Sequence, residues 1–576
     1  MCGIAGLVSN NYREMGPLLE EMLISMKHRG PDGAGYVIGN ECARMPTLDA
    51  LDFDGKKGNV ALGHIRLAIT GEETGLQPFQ SENGKISLLH NGEIYNFREL
   101  ATTLNNKRSL STGSDSEVLM KLIEQEYQGD LNDTMHRVLP KLDGVYALAV
   151  SDQKKTILAR DRIGVRQLYY SSDHDLVAFS SERKPLWALL GNSAKTHRLL
   201  PGHMMVLDSD SFETDVFWTP GKIPPHSKKI TAANKAIERY DKAIRNSIAK
   251  RVRGRKHVGV IYSGGVDSVL VAYLIQQMGV PFTCYTAGRG KSAPDLEWAL
   301  TTAKEFDFPI EVAELSLQDI EELIPEVIRD IEDSSLNQVE VAIPIYASVR
   351  MAQEAGERVI LTGQGADELF GGYPWYSSIV EREGYDVFEQ RSWEDACLLY
   401  KECLEREDKI AMAHSIELRV PFLDPEVFFV AFAVAPELKI MQPKDRLRKY
   451  IHRKYCRSLG IPEKIANRVK EAAQHGANVH DAFEELADAA GITQELTAEV
   501  GYDPEKTVTE KLGSSSRYGY RYGDHNLWKP LPQVQCYLDM IAYHLNLLPP
   551  VARAHIEEVR SRLASQAVSV LKGAPL

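Results

Sequence analysis

The residue after the initiator methionine is Cys2, and its place in the chain is the first chemical signal. Once Met1 is removed, the thiol lies beside a free α-amine, so nucleophile and base share one residue. An α-amine titrates at about 7.7–8.0 and a thiol at about 8.5, which leaves proton exchange between them nearly balanced at neutral pH. This is the N-terminal-nucleophile arrangement, in which the chain terminus does the work of a histidine. An amide-cleaving thiol also needs a handle for its substrate and a cradle for an oxyanion. Arg66 offers a planar fork for a carboxylate. Asn91 and Gly92, followed by Glu93, put a side-chain amide and a glycine N–H where an oxyanion could be held. Asp115 could pair with an α-ammonium. Taken singly, each has a plain structural alternative: a surface ion pair for Arg66, a hairpin turn for Asn91–Gly92, a helix N-cap for Asp115.

A second set of residues points to phosphate. Tyr262-Ser-Gly-Gly-Val-Asp-Ser268 falls between an apolar run that reads as a strand and one that reads as a helix. Backbone N–H groups and a helix N-terminus there converge on an anion. The lysine of the G-x-x-x-x-G-K-[ST] loop is missing from this turn. Gly290-Lys291-Ser292 does not replace it, because the leading glycine would fall at position 285, which is Tyr285. A second acidic turn, Thr362-Gly-Gln-Gly-Ala-Asp-Glu368, follows another strand-like run. Magnesium favours one or two carboxylates with phosphate oxygens, and Asp267 and Asp367 could supply them from two sides. The alternative for both turns is packing of helix on strand, with the acids solvated.

The elements that must hold these residues change character along the chain. Up to about residue 218, short apolar strands alternate with Gly and Asn, for example Ile4–Val8, Val60–Ile65, Ile86–Leu89, Tyr146–Val150 and Thr156–Ala159. Residues 219–230 then gather three prolines among polar residues, which is linker composition. A second domain spans 231 to about 545; helices and strands alternate through its first part, predicting a parallel α/β sheet, and beyond Asp395 the chain reads as helical. The sheet's strands are Val258–Tyr262, Pro281–Thr286, Ile310–Leu315 and Arg358–Thr362. Asn337–Ile343 reads as a loop before a helix beginning at Pro344, Gly513–Gly523 as an exposed loop, and residues 546–576 as a tail with a peripheral helix.

Bulk properties exclude several classes. A net charge of -13 lacks the basic face that phosphate neutralisation on nucleic acid requires. The longest apolar run, Val427–Pro436, is about half the length of a membrane-spanning helix, so no membrane association is expected. The N-terminus lacks a basic stretch followed by an apolar core, so a cytoplasmic protein is expected. The seven cysteines are scattered without a C-x-x-C pair, which argues against disulfides and structural zinc.

Taken in order, Cys2-Gly-Ile, His28-Arg-Gly-Pro-Asp-Gly33, Arg66-Leu67, His90-Asn-Gly-Glu-Ile-Tyr-Asn96 and Gly113-Ser-Asp115 resemble the class II glutamine amidotransferases. The Ser263–Ser268 turn, the Thr362–Tyr373 turn, Arg419-Val-Pro-Phe-Leu-Asp424 and Lys470 resemble the synthetase half of the asparagine synthetase family. The likeness covers roughly residues 2–480. It implies an N-terminal α+β sandwich of sheets with flanking helices, of the Ntn-hydrolase type, joined to a parallel α/β ATP-pyrophosphatase domain. It implies that Cys2 attacks the glutamine amide and that Asn91 and Gly92 form the oxyanion hole. Arg66, Ile69, Glu93 and Asp115 would hold glutamine. Ser263, Gly264, Gly265, Asp267, Ser268, Gly288, Gly363 and Gln364 would hold ATP, and Asp267 and Asp367 would hold Mg2+. Lys470 would stabilise charge at the acyl phosphate. Aspartate is the implied acceptor, activated as its AMP ester, with ammonia passing along a shielded route near Arg419–Asp424. A homodimer is compatible with the likeness.

Two positions depart from the bacterial pattern. Gln364 stands where a glutamate is usual, and a neutral amide cannot take a proton near pH 7. Glu340 stands about where an arginine is often found. Both concern the acceptor, and they leave two alternatives: a different carboxylate acceptor, or a regulatory paralogue without synthetase chemistry.

Overall fold

A computed structural model describes residues 2–70, 74–105, 110–191, 194–207, 212–469, 472–502 and 531–547, with 553, 556–557 and 559–561. Lys470, the Gly513–Gly523 stretch and nearly all of the 546–576 tail lie outside the described residues. The chain divides into two units, Met1–Gly221 with Ala411–Glu417, and Lys222–Ile410 with Leu418–Leu576.

The first unit holds thirteen strands among its described residues: β1 (Gly3–Glu14), β2 (Ala34–Ile38), β3 (Glu41–Met45), β4 (Lys57–Ile65), β5 (Phe79–Gln80), β6 (Ser87–Ile94) and β7 (Gly144–Ser151), followed by β8 (Thr156–Arg160), β9 (Tyr169–Asp173), β10 (Leu176–Ser180), β11 (His197–Arg198), β12 (His203–Leu207) and β13 (Phe212–Val216). They form two antiparallel sheets, in the orders β11-β9-β10-β1-β4-β2-β3 and β13-β12-β8-β7-β6-β5. Alternation along the strands sorts their side chains into layers. Ile4, Leu62, Leu89, Ala147 and Met205 meet between the two sheets. Ala5, Leu7, Ala61 and Ile65 face the helix Gly16–Ser25, packing with its Leu19, Met22 and Leu23. Leu88, Ile94 and Leu148 face the helices Asp115–Glu126 and Leu131–Val138. The result is a helix–sheet–sheet–helix sandwich, the α+β architecture expected from the family likeness.

The second unit is built on a five-stranded sheet of β14 (Val258–Ile261), β15 (Phe282–Arg289), β16 (Ile310–Leu315), β17 (Val359–Leu361) and β18 (Glu417–Arg419, whose first residue groups with the first unit), ordered β16-β15-β14-β17-β18. The β14–β15, β15–β16 and β14–β17 pairs are parallel. Strand order reverses at β14, so the crevice beyond the C-terminal ends of β14 and β17 is the topological switch point, where open α/β sheets bind ligands. The Ser263–Ser268 and Thr362–Glu368 turns both leave the sheet there.

One expectation is corrected. Asn337–Ile343 is not a loop but the first half of a helix, Leu336–Glu354, which runs through Pro344. The proline forgoes one helix hydrogen bond. Val339, Ala342, Ile343, Tyr346 and Val349 are all buried along this helix, and their burial offsets the loss.

Candidate functional site

In the first unit, strand parity builds the site. Cys2 continues the inter-sheet face of β1 that carries Ile4. Arg66 continues that of β4 after Leu62, and Asn91 and Glu93 continue that of β6 after Leu89. At one end of the sandwich interior, the apolar layer thus gives way to a thiol, a guanidinium, an amide and a carboxylate. Cys2, Arg66, Asn91, Glu93, Ile69 and Asp115 are all buried.

The Cys2 backbone N–H donates to Asn91 Oδ1 at 3.2 Å, and the thiol lies 3.9 Å from the Leu67 carbonyl. Burial pushes the Cys2 thiol pKa up, while the Leu67 contact and the Arg66 charge pull it down. Asn91 and Gly92 do not form a hairpin turn. They sit mid-strand in β6, opposite Ala147 and Tyr146 of β7. Gly92 is required by close approach, because a Cβ there would lie 2.1 Å from the Val145 carbonyl oxygen.

Asp115 is not the helix cap. Ser114 occupies the cap position and accepts from the Ser116 N–H, which Asp115 shares at 2.9 Å, and the Asp115 carboxylate also accepts from the Thr70 hydroxyl at 2.9 Å and the Ile94 N–H at 2.8 Å. Arg66 donates to the carbonyl of the same Thr70 at 3.3 Å. A cation and an anion are thereby held on either side of one residue, matching the opposite charges of an amino-acid backbone.

Sequence reasoning missed the residues that fix the terminus. Arg29 is fully buried, donates to the Cys2 carbonyl at 3.2 Å and pairs with Glu182 at 2.7 Å. Ser181 bridges the two strands: its hydroxyl accepts from the Ile4 N–H at 3.0 Å and from Asn91 Nδ2 at 3.4 Å. Glu182 is charged despite burial because His28, Lys184 and Arg29 surround it, and its pKa is held well below the usual carboxylate range. Only the His28-Arg-Gly motif hinted at this anchor, and its partners lie more than 150 residues away.

In the second unit, a cleft opens at the switch point, lined among others by Ser263, Gly265, Asp267, Ser268, Lys449 and Arg468. Gly264, Gly288, Gly363 and Gln364 are not among its lining residues. Gly264 adopts φ +66, and a Cβ there would meet the Trp298 backbone at 2.7 Å, so the loop is pressed onto the helix Pro294–Phe306. Gly288 packs against Ala293 and Leu296, and Gly363 lies against Asp267. The turn before the helix Val266–Gln277 is tightened by the Gly265 N–H donating to Ser263 Oγ and by Ser268 Oγ donating to the Gly265 carbonyl.

Asp267 and Asp367 come together as expected, and a residue not foreseen stands between them. Lys449 Nζ lies 2.6 Å from Asp267 Oδ2 and 2.6 Å from Asp367 Oδ1, with its side chain 1% exposed. His452 Nε2 lies 3.1 Å from Asp267 Oδ1, and burial keeps that imidazole pKa low. The two carboxylate oxygens are thus at most 5.2 Å apart, twice the 2.6 Å separation. Asp267 and Asp367 are the residues that would hold magnesium, which prefers one or two carboxylates together with phosphate oxygens. The hard, two-carboxylate donor set fits magnesium, and among the described residues no group of three or more metal-ligating side chains competes.

Arg468 donates to the Ser263 carbonyl at 2.8 Å and to Asp295 at 2.6 Å, and its guanidinium lies over Trp298. Arg453 donates to the carbonyls of Ala466 and Arg468. These bonds pin the segment that leads to Lys470. Glu340 is buried and occupied internally, accepting from Gln474 at 3.2 Å and lying 2.6 Å from His480 Nδ1. Of Arg419–Asp424, Arg419 donates to the Arg251 carbonyl, and Asp424 pairs with Lys250 and Arg251 while capping the helix Pro425–Ala433. Val420, Phe422 and Leu423 are buried between them.

The family profile described as a glutamine amidotransferase domain matches residues 1–240, and that described as asparagine synthase matches residues 239–386 and 380–542. A Methanocaldococcus jannaschii protein assigned by name to the glutamine-hydrolysing asparagine synthetases is 34% identical over 538 residues, which are 86% of this chain and 97% of that protein. Asparagine synthetase 1 (glutamine-hydrolysing) of Arabidopsis thaliana is 29% identical over 480 residues, 79% of this chain and 74% of its own. Among solved structures, glutamine phosphoribosylpyrophosphate amidotransferase from B. subtilis matches with a TM-score of 0.34 and 24% identity, over 50% of this chain and 66% of that one.

Proposed function

Because this chain belongs to the glutamine-hydrolysing asparagine synthetase family, we propose that it divides asparagine synthesis between the two sites described above, one in each unit. The chain is a glutamine-hydrolysing carbon–nitrogen ligase of that family. The observation that carries the division of labour is the pairing, within one chain, of a buried terminal cysteine beside Asn91 with a pyrophosphate-type loop that faces Asp367.

In the first unit the Cys2 α-amine, exposed by loss of Met1, takes the thiol proton as sulfur attacks the glutamine side-chain carbonyl. Asn91 Nδ2 and the Gly92 N–H stabilise the tetrahedral oxyanion. Arg66 and Asp115 bind the α-carboxylate and α-ammonium, and Glu93 orients the amide. Arg29 and Ser181 hold the terminus in register, so that the attacking sulfur does not have to be ordered during the reaction. The α-ammonium returns the proton to the departing ammonia, and water then hydrolyses the glutamyl thioester to release glutamate and restore the thiol.

In the second unit the Ser263–Ser268 loop and the N-terminus of the helix Val266–Gln277 receive the β- and γ-phosphates of ATP. Magnesium, held by Asp267 and Asp367, would neutralise the phosphate oxygens. The aspartate β-carboxylate attacks the α-phosphorus and pyrophosphate departs. Ammonia then displaces AMP from the acyl phosphate, giving up one proton to the departing phosphate, with Lys470 meeting the developing charge. Since Glu340 is engaged with His480 and Gln474, a group other than residue 340 must pair with the aspartate α-carboxylate.

The test is Cys2→Ala assayed with glutamine and, separately, with ammonium. Asparagine and pyrophosphate should form with ammonium alone. Loss of both activities in a folded variant would contradict the two-site scheme, and ADP in place of AMP in the wild type would contradict adenylation of the acceptor. Turnover of another carboxylate but not aspartate would contradict the acceptor.

A further inference from the structure

The reading of Asp267 and Asp367 as magnesium ligands does not account for Lys449. Its ammonium is enclosed, touches both carboxylates and occupies the space in which a bridging dication would have to sit. Like charges so close repel strongly in a poorly solvated cleft, so ammonium and dication cannot share the position. We propose that Lys449 fills the cation position between Asp267 and Asp367 when no nucleotide is bound, and leaves it for a phosphate oxygen when the magnesium–nucleotide complex enters. The free metal is thereby excluded and the ion is admitted with its nucleotide. This inference rests on the metal-ligand reading given above.

Three observations support the exchange. Lys449 lines the same cleft as Ser263, Gly265 and Ser268, so an ammonium leaving the carboxylates swings toward the loop that receives phosphate. The long, flexible stem of lysine makes such a swing inexpensive, and a phosphate offers the charge lost from the carboxylates. The backbone is also poised: Arg448 and Lys449 both adopt φ +51, two consecutive non-glycine residues in the left-handed region. That conformation is sparsely populated and persists only where neighbours enforce it. Here Arg448 Nε donates to the Gly372 carbonyl at 2.8 Å, and Arg453 Nε donates to the carbonyls of Leu447 and Arg448. The clamp therefore ties the position of Lys449 to Gly372 of the acidic turn, at the other side of the cation position.

The experiment titrates the full-length protein with Mn2+ in the absence of nucleotide, counting free ion by electron paramagnetic resonance. Wild type, Lys449→Met, Lys449→Gln and Lys449→Arg are compared, with circular dichroism to confirm folding of each. The neutral variants should bind Mn2+ at least tenfold more tightly than wild type, while Lys449→Arg stays weak. Adding Asp267→Asn to whichever neutral variant folds better should remove the gained site. Equal Mn2+ affinity in wild type and both neutral variants overturns the exclusion by Lys449. A gained site that survives Asp267→Asn overturns it differently, by showing that Asp267 is not a ligand of the ion.

Discussion

Substitution of Gly92 by alanine should separate the two half-reactions through a movement of about one ångström. Gly92 lies in β6 opposite Tyr146, and an added methyl would stand 2.1 Å from the Val145 carbonyl oxygen and 2.7 Å from Tyr146 Cα. Even the closest ordinary carbon–oxygen contacts are at about 3.3 Å, so β6 and β7 must separate locally by about 1 Å. Asn91 and Glu93, on either side, move with the strand. A misplacement of that size costs about 10²-fold in a reaction that depends on positioning, or about 2.7 kcal/mol of activation free energy. Glutamate release from glutamine should therefore fall about 10²-fold in kcat/KM. Ammonium-dependent pyrophosphate release, carried by the other unit, should stay within about twofold, on the expectation that separate sites act independently. Gly84→Ala serves as the control, because Gly84 also has positive φ but a Cβ there meets nothing within 4 Å among the described residues. A Gly92→Ala protein that hydrolyses glutamine within about threefold of wild type, well short of the loss expected from such a displacement, would refute the argument from close approach.

Three further outcomes are expected. Asp161 accepts five backbone N–H groups, from Ile163, Gly164, Val165, Tyr146 and Arg166, so Asp161→Ala should lose at least about 3 kcal/mol in denaturant unfolding, with Asp161→Asn losing less. Lys439 is fully buried, its Nζ has no hydrogen-bond partner among the described residues, and burial lowers its pKa to about 7. The folded-state pKa lies below the unfolded one, so the cost of burying the charge is full below pH 7 and fades as pH rises toward 10.5. Lys439→Met should accordingly raise the melting temperature most at pH 6 and progressively less at pH 8 and 9, and a gain independent of pH would contradict this reading. Removal of the Arg29 guanidinium by Arg29→Met should lower glutaminase kcat more than it raises KM, because Arg29 holds the Cys2 carbonyl and not the substrate; rescue by Arg29→Lys should be partial, since one ammonium cannot reproduce both bonds.

The strands of the second unit could be read from sequence because buried parallel strands are short apolar runs between helical periods, and Ile310–Leu315 emerges with the bounds its apolar pattern suggests. Strand parity likewise explains why Cys2, Arg66 and Asn91 share a face, although pairing of the sheets is needed before parity says which face. What escaped was long-range. Nothing near Arg29 in the chain announces Glu182, and Ser181 resembles any other strand-end serine until β1 and β6 are brought beside it. Lys449 lies in a run with Lys444, Arg446 and Arg448 that reads as a solvated basic loop, and only the fold encloses one of its cations between two carboxylates. Pro344 misled for a simpler reason: a proline is a strong local signal, but a helix with a sufficiently apolar face runs through it.

The short return of the chain to the first unit has a consequence for the ancestry and dissection of the protein. Ala411–Glu417 belongs with Met1–Gly221, and there Glu417 lies 3.6 Å from the guanidinium of Arg166 while Ser415 donates to the His28 carbonyl. A fragment ending at Gly221 would leave both contacts behind, one of them from a side chain with no exposure to water. The amide-cleaving unit is consequently not a bead on a string that a single proteolytic cut or recombination event can detach. Any transplant of it onto another ligase has to bring a substitute for seven residues encoded almost two hundred positions downstream.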